Sequence, residues 1–232
     1  EIDTRDWSSD VCSSDLNNSN LTVYMKEKND DEDDSKISIE IRKGRNPGNL
    51  SIKTNGSNVI RNKMFQGSKL YSMYVPGISG IPIKETLVSR AVLRSAVARG
   101  DANMYIRNIM YYLKIDGKLE ELNKYLKAVF QDITIRIPFN PDNDINIQVD
   151  IGIKTYEGEN IDVPIEQAGT GMLQILQILA YVLYFEPKLL LLDEPDEHLH
   201  PNNQRILAEV LKKYQKKKKF KLFYVHIVDI CW

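Results

Sequence analysis

The sequence predicts an α/β fold with a β-rich front section, a helical insert and a back half in which helices and strands alternate. Three observations carry that prediction. Beyond Pro164 the pattern runs helix, strand, helix, strand over 171–185, 189–192, 202–214 and 220–225, which implies a parallel sheet covered by helices. Leu189-Leu190-Leu191-Leu192 is apolar on both faces, as a strand at the centre of a sheet is. Residues 21–26 and 36–42 instead alternate apolar and polar side chains, the mark of half-buried strands.

In chain order, the acidic run Asp30-Asp31-Glu32-Asp33-Asp34 separates the first two strands and reads as a solvated hairpin loop, with a metal site as the rarer alternative. Asn46-Pro47-Gly48 and Asn55-Gly56 are turn signals that bracket a third strand over 50–53. Residues 74–82 are too rich in Gly and Pro for regular structure and read as a loop. Helices are expected over 84–99, 102–114 and 119–131. The last carries Leu119, Leu122, Leu126 and Val129 close to an apolar stripe. Met104, Tyr105, Met110, Tyr111 and Tyr112 make the middle helix aromatic, for which packing is the commoner cause and base stacking the alternative. Strands are expected over 133–137 and 145–154, with Pro138, Asn140-Pro141 and Asp142-Asn143-Asp144 turning the chain between them.

Composition narrows the function classes. The chain has 232 residues and 42% hydrophobic residues, enough for a packed core. A net charge of −1 favours neither a nucleic-acid binder nor a membrane-surface protein. The apolar stretch Met172 to Phe185 is interrupted by Gln174 and Gln177 and falls short of a bilayer span, so it reads as a buried helix. The first residues lack the basic start and apolar core of a secretory signal, and the expected setting is cytoplasmic, away from membranes. The two cysteines, Cys12 and Cys231, lie in the tails, a poor disulfide framework with no zinc-site spacing.

The chemistry concentrates between Glu166 and Pro201. Leu189 to Leu192 followed by Asp193-Glu194-Pro195 has the form of a Walker B element. A buried strand ends in two acids at the carboxyl edge of the sheet, where α/β proteins place ligands. In that role Asp193 holds the Mg²⁺ bridging the terminal phosphates and Glu194 orients the attacking water. Upstream, Glu166-Gln167-Ala168-Gly169-Thr170-Gly171 is a glycine-containing turn that opens a helix, and backbone N–H groups at a helix start suit a phosphate. His198 and His200 follow the acids but lack the i, i+4 spacing of a zincin pair.

Together these segments resemble AAA-type ATPases of ABC-like architecture, including the ATPase heads of OLD-family nucleases and relatives of the recombination and SMC proteins. Residues 74–113 resemble the lid region of that group more weakly. The resemblance implies a P-loop NTPase-like head that uses ATP and Mg²⁺. Gly169, Thr170 and Gly171 would be its signature loop, clamping the γ-phosphate held by a partner subunit in an ATP-sandwich homodimer. Asp193 would be the metal ligand, Glu194 the catalytic residue, and Asp196 to Pro201 the D-loop. Ala168 stands where many members have serine. An alternative within the resemblance is an ATP-gated dimerising switch that controls a nuclease or toxin partner, with turnover resetting it. A DNA-backbone contact is the alternative to solubility and dipole complementation for Lys212, Lys213 and Lys216 to Lys219.

No G-x-x-x-x-G-K-[ST] motif occurs in the chain, and in the group resembled the P-loop lies upstream of these segments. Asp10-Val11-Cys12-Ser13-Ser14-Asp15-Leu16 match the translation of a common sequencing adapter, so residues 1–16 read as non-native, a Ser/Asp-rich native tail being the alternative. Residues 226–232 read as a frameshifted tail, because one permitted back-translation shifted by two nucleotides gives Thr-His-Ser at the place of the switch histidine. His226 is then its shadow, and a genuine variant end is the alternative. The expected organisation is a partial ABC-type ATPase domain over 17–225: β-rich at 17–60, a helical lid region at 74–131, and the signature, Walker B and D-loop half at 132–225.

Overall fold

The computed structural model describes residues 21–27, 35–43, 50–58, 61–62, 70–77, 80–155, 158–193, 195, 199–218 and 221–225. The acidic run at 30–34, the Asn46-Pro47-Gly48 turn, and the adapter-like and frameshift readings at 1–16 and 226–232 lie outside them. The chain divides into two compact units, Glu1–Ser68 and Lys69–Trp232.

The first unit is an antiparallel meander of β1 (Leu21–Glu27), β2 (Ser35–Lys43) and β3 (Leu50–Gly56). Its register places Leu21 opposite Ile41 and Ile41 opposite Ile52. All three expected strands are present, each slightly longer than the apolar alternation alone marks.

The second unit contains two sheets. Strands β4 (Ser72–Val75), β8 (Leu189–Asp193) and β9 (Lys221–Val225) form a parallel sheet in the order β4-β8-β9. Strands β5 (Ile133–Arg136), β6 (Asp150–Lys154) and β7 (Asn160–Pro164) form an antiparallel one. The helices are α1 (Arg90–Ala98), α2 (Ile106–Ile115), α3 (Leu119–Val129), α4 (Thr170–Phe185) and α5 (Pro201–Lys218).

The structure corrects four expected elements. The loop expected over 74–82 starts too early, since Ser72 to Val75 form a strand with Met73 and Val75 buried and Ser72 and Tyr74 exposed. Four residues carry too little alternation to stand out beside Pro76-Gly77. The first helix begins at Arg90 rather than Lys84, because Thr86 bridges to Asn146 and the Ser89 hydroxyl caps the helix by accepting the Val92 N–H. Residues 102–105 are a 3₁₀ turn leading into α2. The strand expected over 145–154 is regular only from Asp150, Asn146 contributing the single bridge to Thr86.

Helix α4 is the centre of the unit. It is apolar all round, and twelve of its residues, from Leu173 to Phe185, are buried, including Gln174 and Gln177. It packs against α2 and α3 in a core that also takes Leu190 and Leu192 from β8. Its carboxyl end stops at Glu186, which adopts a left-handed conformation (φ 45°), and Lys118 donates to both the Leu183 carbonyl and the Glu186 carboxylate.

On the edge of the antiparallel sheet, buried Asn123 of α3 accepts the Ile135 N–H (2.8 Å) and donates to the Ile135 carbonyl (3.3 Å). Its amide fills the ladder position that a fourth strand would take. Arg90, at the start of α1, pairs with Asp116 through both carboxylate oxygens (2.8 and 2.9 Å) and lies over the Tyr112 ring, fastening α1 to the α2–α3 turn. Among the described residues no helix is long and apolar enough to cross a membrane.

Candidate functional site

Strand β8 is central, paired in parallel with β4 on one side and β9 on the other. Leu190 and Leu192 are fully buried, and the strand ends at Asp193, level with Val225 of β9. All three strands therefore finish at one edge, and the first predicted acid stands on it. Glu194, Asp196, Glu197 and His198 lie outside the described residues. His200 accepts the Asn202 N–H on Nδ1 (3.3 Å), so its imidazole caps the start of α5.

The direction of α4 follows from two contacts with β4. The N–H groups of Lys188 and Leu189, just past the helix, donate to the Tyr71 carbonyl at the start of that strand. Gln177, halfway along the helix, donates to the Pro76 carbonyl just beyond the end of the strand (3.4 Å). The helix thus runs antiparallel to the sheet. The seven-position step from Gln177 back to Thr170 carries its N-terminus roughly 10 Å further along the axis, at about 1.5 Å per residue. The predicted signature turn and Asp193 lie toward the same edge, but the turn overshoots it.

The turn itself is open. Gly169 is the N-cap with φ −64° and ψ 150°, and no side chain caps the helix. A Cβ built on Gly169 would meet nothing within 4 Å. Neither its dihedrals nor its described neighbours require a glycine, and there is open space around its Cβ position. The first N–H groups of any helix lack intrahelical acceptors, and among the described residues no N-cap side chain replaces them here. Thr170 is exposed and Gly171 half-buried. Ala168 is partly buried and packs against the core, where a serine hydroxyl would face apolar neighbours.

Behind the turn lies a charged cluster that no local pattern announces. Arg107, in the first turn of α2, is 1% exposed. It donates to Glu166 through Nη2 and to the Pro82 carbonyl through Nη1 (2.6 Å), and Glu85 lies 3.6 Å from Nη1. Glu85 in turn accepts the backbone N–H groups of Arg107 (3.0 Å) and Asn108 (2.7 Å), capping α2 from a distant segment. Burial pushes the Glu85 carboxyl above its ordinary range, and the donors from Asn108 and Arg107 hold it down only in part. The one available sequence signal was Arg107-Asn108 on an otherwise apolar helix, with partners 22 and 59 residues away.

A parallel sheet whose central strand ends in an acid, beside a buried helix that opens on glycines, defines a P-loop NTPase-like head of the ABC type. The chain belongs to the family described as AAA domain, putative AbiEii toxin, Type IV TA system, whose model matches residues 85–224, more than half of its length. It is similar to the uncharacterized protein MJ1542 of Methanocaldococcus jannaschii, with 31% identity over 111 residues. That match covers 47% of this chain, and the chain spans only 13% of the relative.

Among solved structures, the fold resembles an SMC head bound to the C-winged helix domain of ScpA, with a TM-score of 0.55 and 15% identity over 90% of this chain and 67% of that one. It also resembles a Pyrococcus furiosus Smc head domain with an extended coiled coil, bound to the C-terminal domain of ScpA. There the TM-score is 0.50 and the identity 14%, over 89% and 70% of the two chains. At such identities the likeness is one of fold. Family and fold together make this a nucleotide-binding, ATPase-type domain.

Proposed function

We propose that this chain is the signature-bearing part of an ABC-type ATPase head that works as an ATP-sandwich homodimer. The observation that carries the reading is the overshoot of α4. A phosphate-binding turn that stands beyond its own sheet edge, open around Gly169, suits a nucleotide held by a second subunit better than one held over its own Asp193. Gly169, Thr170 and Gly171 would present backbone N–H groups and the positive end of α4 to the γ-phosphate.

Asp193 would hold Mg²⁺, which when bound neutralises charge between the β- and γ-phosphates. Its place at the end of the central strand is the position such a ligand needs. Glu194, the next residue, would orient the attacking water and accept its proton. The reading takes the P-loop from outside these 232 residues, so the chain alone is expected to bind ATP weakly and not to turn it over.

Two assays test this. Turnover of ATP by the purified chain, abolished by Glu194→Gln, would overturn the expectation for the chain alone. In a complete protein that carries a P-loop, Glu194→Gln is expected to cut hydrolysis by a hundredfold or more, on the order of a lost general base.

A second reading is a switch, favoured by the family's description as a putative toxin of a Type IV system. Here ATP-driven dimerisation gates a nuclease or toxin partner. The two SMC heads were each solved bound to a domain of ScpA, so heads of this fold do take protein partners. A Glu194→Gln protein that traps an ATP-bound dimer while the partner stays in its switched state would select this reading.

A further inference from the structure

Arg107 occupies a place that elementary electrostatics disfavours. It is nearly inaccessible to water, and it lies in the first turn of α2, where the helix dipole opposes a cation. Its guanidinium is held by Glu166, the Pro82 carbonyl and, less closely, Glu85. Glu166 lies in the 3₁₀ turn Ile165–Gln167, two residues before Ala168 and three before Gly169. Ile165 is fully buried and its N–H donates to the Val149 carbonyl. The entry to α4 is therefore fixed at two adjacent points, one apolar and one ionic, and Gly169 and Thr170 emerge from it exposed.

We propose that Arg107 is the positioning residue of the signature turn: by gripping Glu166 it sets the direction in which the N-terminus of α4 meets phosphate, and through Pro82 it ties that direction to the loop at 80–88. The assignment rests on the ATPase reading for its functional meaning. The grip is a charge-assisted pair on a planar fork, which a lysine reproduces only in part, since its single ammonium cannot hold Glu166 and the Pro82 carbonyl in the same plane.

The test is amide hydrogen exchange on the full 232-residue chain for the wild type, Arg107→Lys, Arg107→Met and Glu166→Gln. Glu166→Gln is the mild variant, because that side chain is about a third exposed and its loss leaves Glu85 beside the guanidinium. The expected result is exchange over 166–173 accelerated roughly tenfold in Arg107→Met and Glu166→Gln, less in Arg107→Lys, with α3 unchanged. Unchanged exchange over 166–173 in Glu166→Gln and Arg107→Met overturns the proposal. So does acceleration confined to α2.

In a P-loop-bearing protein the same variants are expected to lower kcat/KM about tenfold, on the same reasoning. There Glu194→Gln separates the two ideas. If it leaves hydrolysis intact, the assignment of Glu194 falls, and if the unmutated protein shows no hydrolysis the ATPase reading falls, while the exchange result still decides the role of Arg107.

Discussion

Replacing Asn108 by leucine removes a fully buried amide while keeping the number of side-chain heavy atoms, and the structure allows its cost to be worked out. Asn108 Oδ1 accepts the Val88 N–H at 2.9 Å, and Nδ2 donates to Glu85 at 2.7 Å and to the Thr86 carbonyl at 2.9 Å. Leucine leaves the Val88 donor and the Thr86 acceptor without these partners and takes one donor from a buried carboxylate. An orphaned donor costs about 1–3 kcal/mol and a lost hydrogen bond to a charged group about 1.5–3 kcal/mol. The gain from an added apolar side chain, roughly 1.5–2 kcal/mol, offsets part of that. A net loss of about 3 kcal/mol follows, a large share of a domain stability of roughly 5–15 kcal/mol.

Urea unfolding followed by far-ultraviolet circular dichroism measures it. With a slope of roughly 2–3 kcal/mol/M the midpoint should fall by about 1 M or more. Asn108→Asp sharpens the test, since it keeps an acceptor for Val88 but sets a second carboxylate beside Glu85. Both groups favour protonation in the folded state, so that variant should regain stability as the pH falls from about 7 to about 5. An Asn108→Leu midpoint indistinguishable from wild type would refute the assignment of this amide as the tie between α2 and the segment at 85–88.

Gly169→Val should leave thermal stability unchanged, because its Cβ meets nothing within 4 Å, yet abolish ATP-driven dimerisation of a P-loop-bearing protein as measured by light scattering. Retained dimerisation would remove the signature turn from the interface. Asp116 is held below its ordinary range by the hydrogen bonds from Arg90, so its contribution is present above the unfolded value of about 3.9 and is lost as the pH falls through the lowered one. With both side chains partly exposed the effect is under about 1 kcal/mol, and Arg90→Met should flatten stability against pH below about 4. Asp132 has φ 62° and an exposed side chain, so Asp132→Gly should stabilise by roughly 0.5 kcal/mol, measured as a small rise in Tm.

What could be read from the sequence was whatever the chemistry writes in consecutive residues. A buried strand ending at Asp193 and a helix opening at Gly169 are local patterns, and both elements lie where their residues indicate. The short strand at Ser72 to Val75 escaped because its meaning lies in its partner, Leu189 to Leu192, more than a hundred residues on. Strand β7 was missed for a related reason. It is an edge strand with only Val163 less than exposed before Pro164, so it shows no buried face to count. The Arg107 cluster is the extreme case, since a cation and its carboxylates become one feature only after folding brings Glu85 and Glu166 to it. Glu194, the residue on which hydrolysis would turn, lies outside the described residues and remains a reading of the sequence alone.

The side-chain amide of Asn123 has a consequence for how copies of this chain can associate. By occupying both outward backbone groups of Ile135, it obstructs the β5 side of the antiparallel sheet at its middle. Growth by strand addition is left to the β7 side. Two copies meeting there would be related by a two-fold axis and would each use the open edge of this sheet, so growth through this sheet ends at a pair. A sheet with two open edges can extend into a filament; a helix that contributes one asparagine in place of a strand makes this one self-limiting.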